Sequence, residues 1–306
     1  MSRTNVLLTV TLLAGALSSL IVFIMLYGGH KPALSAFAVS VGPVPASMLY
    51  TIDAKSGTLT TLLVSVGEGQ ELPALDVQPG PDGSWYYMLA EPSPTPLSNL
   101  YVRHADGSIE KLTDSATAKY NLSYNEAQGG KLAYQSTVFT DDEDFITNQV
   151  WDLVVYDLAT GEETVVGAGM KPHLTKDGAG IMFHSGKELA FLALGTDVPV
   201  TVMEFPSGVP YAISPDAENL AVYNPTTRKI DTYALTYSAS PSYVSSIEAG
   251  FMPLTLGYVH ERLVAAYASV QDGEYFYTFS DLTRSGQKPR VVKGLSFGFP
   301  QRIYGL

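Results

Sequence analysis

Apolar residues in this chain follow two regimes, and the change comes near residue 28. From Val6 to Tyr27 runs a block without a single charge, VLLTVTLLAGALSSLIVFIMLY. As a helix rising ~1.5 Å per residue, it reaches across a hydrocarbon core of about 30 Å and has no polar face to offer water. The pattern predicts a membrane-inserted helix over 6–27, preceded by a cytoplasmic stub at 1–5. Beyond it, apolar positions come in short bursts rich in Val, Tyr and Thr, punctuated by Gly, Pro, Asn and Asp. Strands and tight turns produce that texture; helices do not.

The bursts repeat. A turn followed by an apolar, aromatic strand recurs as PGPDGSWYYML (79–89), NEAQGGKLAYQS (125–136), TKDGAGIMF (175–183), ISPDAENLAVY (213–223), GYVHERLVAAY (257–267) and GFPQRIYGL (298–306). Intervals of roughly 40–50 residues suit the four short strands of one propeller blade. Between these units lies a strand–turn–strand element: LYTIDAKSGTLTTLL (49–63), LYVRHADGSIEKLT (100–113), LVVYDLATGEETVV (153–166), ELAFLALGTDVPVTV (188–202), KIDTYALTYSASPSYV (229–244) and YFYTFSDLTRSGQKPRVV (275–292). Gly57, Gly107, Gly161 and Gly286 sit at its turns, where a positive φ is cheapest.

The order of the two elements matters more than their number. The chain enters on the hairpin at 49–63 and leaves on the unit at about 295–306, so neither end makes a blade alone. Joined, the two ends complete a ring and hide the sheet edges that an open stack exposes. The expected fold is therefore all-β: a six-bladed β-propeller over 47–306, its last blade closed by N- and C-terminal strands and preceded by one transmembrane helix. A solenoid of stacked sheets shares the period, but it needs capping units and does not split one unit between the termini. Residues 28–46, GGHKPALSAFAVSVGPVPA, read as a linker lifting the ring off the bilayer.

Segments such as ISPDAENLAVY and PGPDGSWYYML, each followed by a strand like LVVYDLATGEETVV, resemble the repeats of the TolB-like propeller superfamily. That blade pattern has a Ser-Pro-Asp-Gly turn, a strand, then a Tyr-x-x-Asp strand with a Gly turn. Ser214-Pro215-Asp216 matches it best, Pro81-Asp82-Gly83 and Lys176-Asp177-Gly178 match in part, and the units at 125–136 and 257–267 have lost it. The resemblance implies an architecture and protein binding in a cell envelope. It transfers no catalytic residues. Trp151-Asp152 imitates the WD-repeat dipeptide once, at the start of a strand, and is read as coincidence.

Composition sharpens this picture by exclusion. With no cysteine, the chain has no disulfide framework, thiolate zinc site or cysteine nucleophile. A formal net charge of −12 disfavours nucleic acid as a partner. The apolar block is longer than the usual cleaved h-region of about 7–15 residues, which favours an uncleaved signal anchor. Cleavage after Ala38, at Ala36-Phe37-Ala38, is the alternative. A prokaryotic cell membrane crossed once, with the propeller outside the cytoplasm, follows from the export-like start. Gly15 and Ser19 make a small-xxx-small pair of the kind that supports helix pairing.

Candidate chemistry is sparse. Gly294-Leu295-Ser296-Phe297-Gly298 fits the hydrolase elbow, but no acid and no His follow it, as the triad order requires. It reads as a decoy. Asp141, Asp142, Glu143 and Asp144 form the densest acidic run and are weak candidates for a Ca²⁺ site, lacking the alternation and Gly of an EF-hand loop. His173 and His184 flank one expected hairpin, so a metal between them is conceivable. Asn121-Leu122-Ser123 is a formal glycosylation sequon. No cofactor motif is present.

The functional expectation is a membrane-tethered extracytoplasmic propeller that binds or scaffolds an envelope protein, and not an enzyme. Its other expected partner is membrane lipid, through residues 6–27. The alternatives are a structural subunit of a surface layer or filament, and an envelope hydrolase with channel-facing carboxylates.

Overall fold

The computed structural model describes residues 36–41, 48–53, 59–67, 69–93, 97–138, 150–206, 208–237, 239–259, 261–272, 274–283, 290–293 and 300–305. The chain divides after Ser35, and these residues all belong to the unit that starts at Ala36. Segment 6–27 lies outside them; among the described residues no helix is long and apolar enough to cross a membrane.

The unit is built from antiparallel sheets taken in chain order. β1 (Ala36–Val41), β2 (Met48–Asp53) and β3 (Leu59–Thr61) begin the first sheet. β4 (Leu63–Gly67), β5 (Gln70–Pro79), β6 (Trp85–Glu91), β7 (Leu97–Arg103) and β8 (Ile109–Lys111) make the second. The third holds β9 (Ala118–Asn125), β10 (Lys131–Thr137), β11 (Asp152–Asp157) and β12 (Glu162–Ala168). The fourth holds β13 (Met170–Leu174), β14 (Gly180–Ser185), β15 (Glu188–Ala193) and β16 (Val200–Glu204). β17 (Tyr211–Ile213), β18 (Asn219–Asn224), β19 (Lys229–Thr236) and β20 (Ala239–Glu248) form the fifth. β21 (Thr255–Val259), β22 (Arg262–Gln271), β23 (Glu274–Asp281) and β24 (Arg290–Lys293) form the sixth. β25 (Pro300–Gly305) then returns to the first sheet, whose order is β25-β1-β2-β3.

Alternate residues of the middle strands serve two different interfaces, which is why those strands read as apolar throughout. Met88, Leu100 and Val102 of the second sheet pack on Leu122, Leu132 and Tyr134 of the third. Ala133, Leu153 and Val155, on the third sheet's other face, pack on Ile181, Phe183 and Leu192 of the fourth. Met182 and Leu189 then meet Leu220 and Val222 of the fifth, and Ala221 and Ile230 meet Leu263 and Ala265 of the sixth. β21 lies against β25, and β2 against β5, which brings the succession of sheets back to its start. The result is an all-β propeller.

Three features depart from the sequence-based expectation. Five of the sheets have the four strands that the repeat predicts, whereas the second has five. There β5 pairs with β4 through Gln70–Pro73 and with β6 through Ala74–Pro79, so one long strand serves two ladders. The closing sheet takes three strands from the start of the chain and one from its end, instead of two from each, because β1 stands where a second strand from 295–306 was expected. And the linker expected over 28–46 contains β1, so the propeller begins at Ala36 and not at 47. Small residues and nearby prolines make AFAVSV resemble a spacer, but the segment pairs on both edges, Val39 standing opposite Tyr50 and Ile303. Of the predicted turn glycines, Gly107 and Gly161 have the expected positive φ of 88° and 74°; Gly57 and Gly286 lie outside the described residues.

Two positions make the packing testable. At Gly257 a Cβ would fall 2.7 Å from Ile303 Cβ and 2.8 Å from the Ile303 carbonyl oxygen, so β21 and β25 approach as only glycine allows. Lys119, fully buried, donates to Ser115 Oγ and, at 2.9 Å, to Thr117 Oγ1, with Glu163 Oε1 4.0 Å away. Burial pushes the Lys119 pKa below the ordinary lysine value, and the Glu163 charge offsets this only in part. Gly257→Val should lower unfolding free energy by about 3 kcal/mol, an overpacking cost against backbone, read by urea denaturation; an unchanged midpoint would refute the close approach. Lys119→Met should be neutral or stabilising, since apolar replacements of buried ions often gain about 1–4 kcal/mol. The wild-type lysine is more protonated unfolded than folded between its depressed folded pKa and its ordinary value. Wild-type stability therefore rises with pH through that window, and the gain from Met shrinks there. A variant less stable at every pH would contradict this reading.

Candidate functional site

The innermost strand of each sheet contributes to one axial cavity of about 570 Å³. Its wall includes Val77 and Gln78 of β5, Leu122 and Ser123 of β9, Lys171 and His173 of β13, Tyr211 and Ile213 of β17, Thr255 to Tyr258 of β21, and Ile303 of β25. These strands run in the same sense. Lys171 Nζ lies 5.1 Å from the ring centre of Tyr211, both at strand starts, while Lys176 and Glu218, just past the strand ends, pair at 2.9 Å. One rim of the ring thus carries the turns that follow the innermost strands. At that turn rim the cavity is bounded by Pro79, Trp85, Asp216 and Glu261.

Neighbouring innermost strands do not form a ladder with one another, so polar side chains join them. Asp76 is 1 % exposed; its carboxylate accepts from Val77 N at 2.8 Å and from Leu122 N at 2.7 Å. Gln78 Nε2 donates to the Leu122 carbonyl at 3.0 Å, so two side chains hold both backbone groups of one residue. Between the third and fourth sheets, Ser123 Oγ accepts from Leu174 N at 3.0 Å, and Gln135 Oε1 accepts from Lys171 N at 2.8 Å. Asn121 and Lys171 take φ of 60° and 53°, and the pairing of β9 and β13 shifts register beside them. Such bulges re-aim side chains, here into the cavity and between sheets.

The turn chemistry is legible atom by atom. In Ser214–Asn219 the Ser214 hydroxyl donates to Asp216 Oδ1, Glu218 N donates to the same oxygen at 3.1 Å, and Asn219 N donates to Ser214 Oγ at 2.9 Å. Thr175–Gly180 repeats the arrangement: Thr175 Oγ1 donates to Asp177 Oδ1 at 2.6 Å, Ala179 N donates to the same oxygen at 3.0 Å, and Gly180 N donates to Thr175 Oγ1. Burial raises the Asp216 pKa, but the Ser214 and Glu218 hydrogen bonds outweigh it and hold the carboxyl below the ordinary range. Asp177 is likewise lowered, first by Thr175 and then by Ala179 N–H. Burial, with the Asp216 charge added, pushes the Tyr258 phenol up to about 12.

The residues singled out from sequence fare unevenly. Asp141, Asp142, Glu143 and Asp144 lie outside the described residues, as does Gly294–Gly298. Among the described residues no His/Asp/Glu group is arranged to hold a metal. His173 lines the cavity, whereas His184 is half-buried against Phe205, 5.6 Å away and nearly parallel, and against Tyr211 at 5.5 Å. Burial and then the Lys171 charge lower the His184 pKa. Trp151 packs edge-on to Tyr120 at 5.6 Å, an ordinary core contact. Reading the sequence missed Asp76, Gln78, Lys171 and the cavity. A signal was available: polar residues alternate in the strands that precede turns, as in Asp76 and Gln78, Asn121 and Ser123, and Lys171 and His173.

The opposite rim carries a different surface. The connection from β20 to β21 leaves Phe251 81 %, Met252 56 % and Leu254 38 % exposed.

No protein-family model matches the sequence, and no curated protein matches it. Solved structures do resemble it. A chain in the crystal structure of a nidogen/laminin complex superposes with a TM-score of 0.51 at 8 % identity, over 88 % of this chain and 97 % of that one. Oligogalacturonate lyase from Vibrio parahaemolyticus gives 0.50 at 12 % identity, over 87 % and 81 %. At these identities the likeness is one of fold, and the fold is a β-propeller.

The turn carboxylates set an acid limit. Their folded pKa values lie below the unfolded ones, so their stabilisation is present above the unfolded carboxyl pKa and disappears as pH falls through the folded values. Asp177→Asn and Asp216→Asn should each flatten the fall in urea midpoint between pH 6 and pH 3; a slope as steep as wild type in both would argue against the hydrogen-bonded carboxylates.

Proposed function

We propose that the chain is a protein-interaction module of a prokaryotic cell envelope, a TolB-like ring of six blades held at the membrane by residues 6–27 and lying outside the cytoplasm. The second sheet counts as a blade in this reading, with β4 added to it. The observation that carries the proposal is the exposed apolar connection Phe251–Leu254. Aromatic and Met side chains are enriched at protein interfaces, and water is a poor neighbour for them unless a partner covers them. A tether adds to this, because confining both partners to one membrane raises their effective concentration without any new contact.

Two further observations support it. Ala36-Phe37-Ala38 pairs with Thr51–Asp53 on one side, and Phe37 and Ala38 pair with Gly305 and Tyr304 on the other. Cleavage after Ala38 would remove the first half of β1 from the ladder that closes the ring, which favours an uncleaved anchor. Efficient proton transfer uses groups with pKa near the working pH; Asp216 is held low and Tyr258 stands at about 12, so these two cavity groups suit binding better than proton transfer.

The full-length tagged chain, extracted from its own membranes in mild detergent, should repeatedly capture one envelope protein. The double variant Phe251→Ser/Met252→Ser should lose at least tenfold in capture with an unchanged thermal midpoint, because both side chains are exposed. Background-level recovery in several detergents, or undiminished capture by the variant, would overturn the proposal.

A further inference from the structure

The axial cavity calls for an occupant of its own, whatever docks on the far rim. Its volume of about 570 Å³ lies within the ~300–1,000 Å³ of small-molecule sites, and it combines apolar walls with a few convergent polar groups. The polar groups are sorted by depth. Asp216 and Glu261 stand at the turn rim; Lys171 stands farther in, at the start of β13, and His173 lies between these levels, next to the end of that strand. Strand geometry puts about 10–13 Å between the two levels, at ~3.3 Å per residue. Between them the wall is mainly apolar, with Val77, Leu122, Ile213, Leu256 and Ile303, and carries Gln78, Ser123 and His173 as polar members.

The mouth is built for a cation. Its hydrogen bonds keep Asp216 ionised. The nearby Lys176 ammonium is paired with Glu218 at 2.9 Å, so the two charges largely cancel beside the mouth. Trp85 and Tyr258 supply aromatic surface at the same level, and an ammonium near carboxylates and ring faces gains from both. The net charge of −12 adds long-range attraction for a cation. Lys171 reverses the preference at depth: its ammonium, stacked over Tyr211, repels a second positive charge.

From this polarity we infer that the axial cavity binds an organic monoamine: one ammonium seated at Asp216 and Glu261, with an apolar body extending towards Lys171. A carboxylate in place of the ammonium meets like charge at the mouth. A diamine of the same length meets it at the inner end.

The chain has two tryptophans, and Trp85 lines this cavity while Trp151 packs on Tyr120 elsewhere. In the full-length Trp151→Phe protein in mild detergent, Trp85 emission therefore reports occupancy. The probes are 4-phenylbutylamine, 4-phenylbutyrate and 1,8-diaminooctane, each corrected against empty micelles. The amine should give a saturable change with at least tenfold tighter binding than the other two, and Glu261→Gln should weaken it about threefold or more. Isothermal titration of the unsubstituted protein gives the same ranking should Trp151→Phe fail to fold. Equal or tighter binding of the carboxylate or the diamine, or no saturable binding of the amine up to millimolar concentration, overturns the inference. Those outcomes leave the partner-capture result untouched, so the two proposals fail separately.

Discussion

The structure depends on one ladder, the pairing of β1 with β25. Each middle strand is apolar on both faces, so each sheet needs a neighbour on either side, and a row of such sheets has no acceptable end. Bending the row until the last strand of the chain joins the first sheet removes both ends at once. The close packing of β21 on β25 at Gly257 is the local cost of that closure. The axial cavity is its by-product, because a ring of sheets cannot converge to a point without leaving space where the innermost strands face one another.

That space is where the strand pattern relaxes. Elsewhere in a sheet the backbone satisfies itself through ladders, but where the innermost strands face the cavity they have no adjacent strand to pair with. Asp76, Gln78, Ser123 and Gln135 take over that task across sheet boundaries. Gln78 and Ser123 both fix a neighbouring sheet and line the cavity. Structural and recognition roles therefore meet in the same strands, while the polarity along the axis comes from other side chains, Asp216 and Glu261 at the mouth and Lys171 within.

Much of the fold was legible in the chain because the repeat is carried by turn chemistry with a mechanism. Ser214-Pro215-Asp216 and Lys176-Asp177-Gly178 announce turns because a short hydroxyl and a carboxylate close them by hydrogen bonds to nearby backbone. What escaped notice lacks such punctuation. β1 consists of small residues between prolines, and its pairing with β25 is set by partners more than two hundred residues away, which no local pattern records. The first half of β5 looks like a continuation of the preceding hairpin. The cavity escaped because its lining is drawn one or two residues at a time from separate sheets, and only the alternation of polar residues ahead of the turns hints at it.

The closing ladder also has a consequence for biogenesis. β1 is made before the other described strands, and the strand that covers its open edge is made after them all. At ~5–20 residues per second, that edge waits on the order of tens of seconds for its partner. During that interval the nascent chain presents an unfinished sheet able to pair with any extended polypeptide nearby, including another nascent copy of itself. Holding the early strands apart until Pro300–Gly305 is released is therefore a task that this topology imposes on whatever machinery accompanies its synthesis.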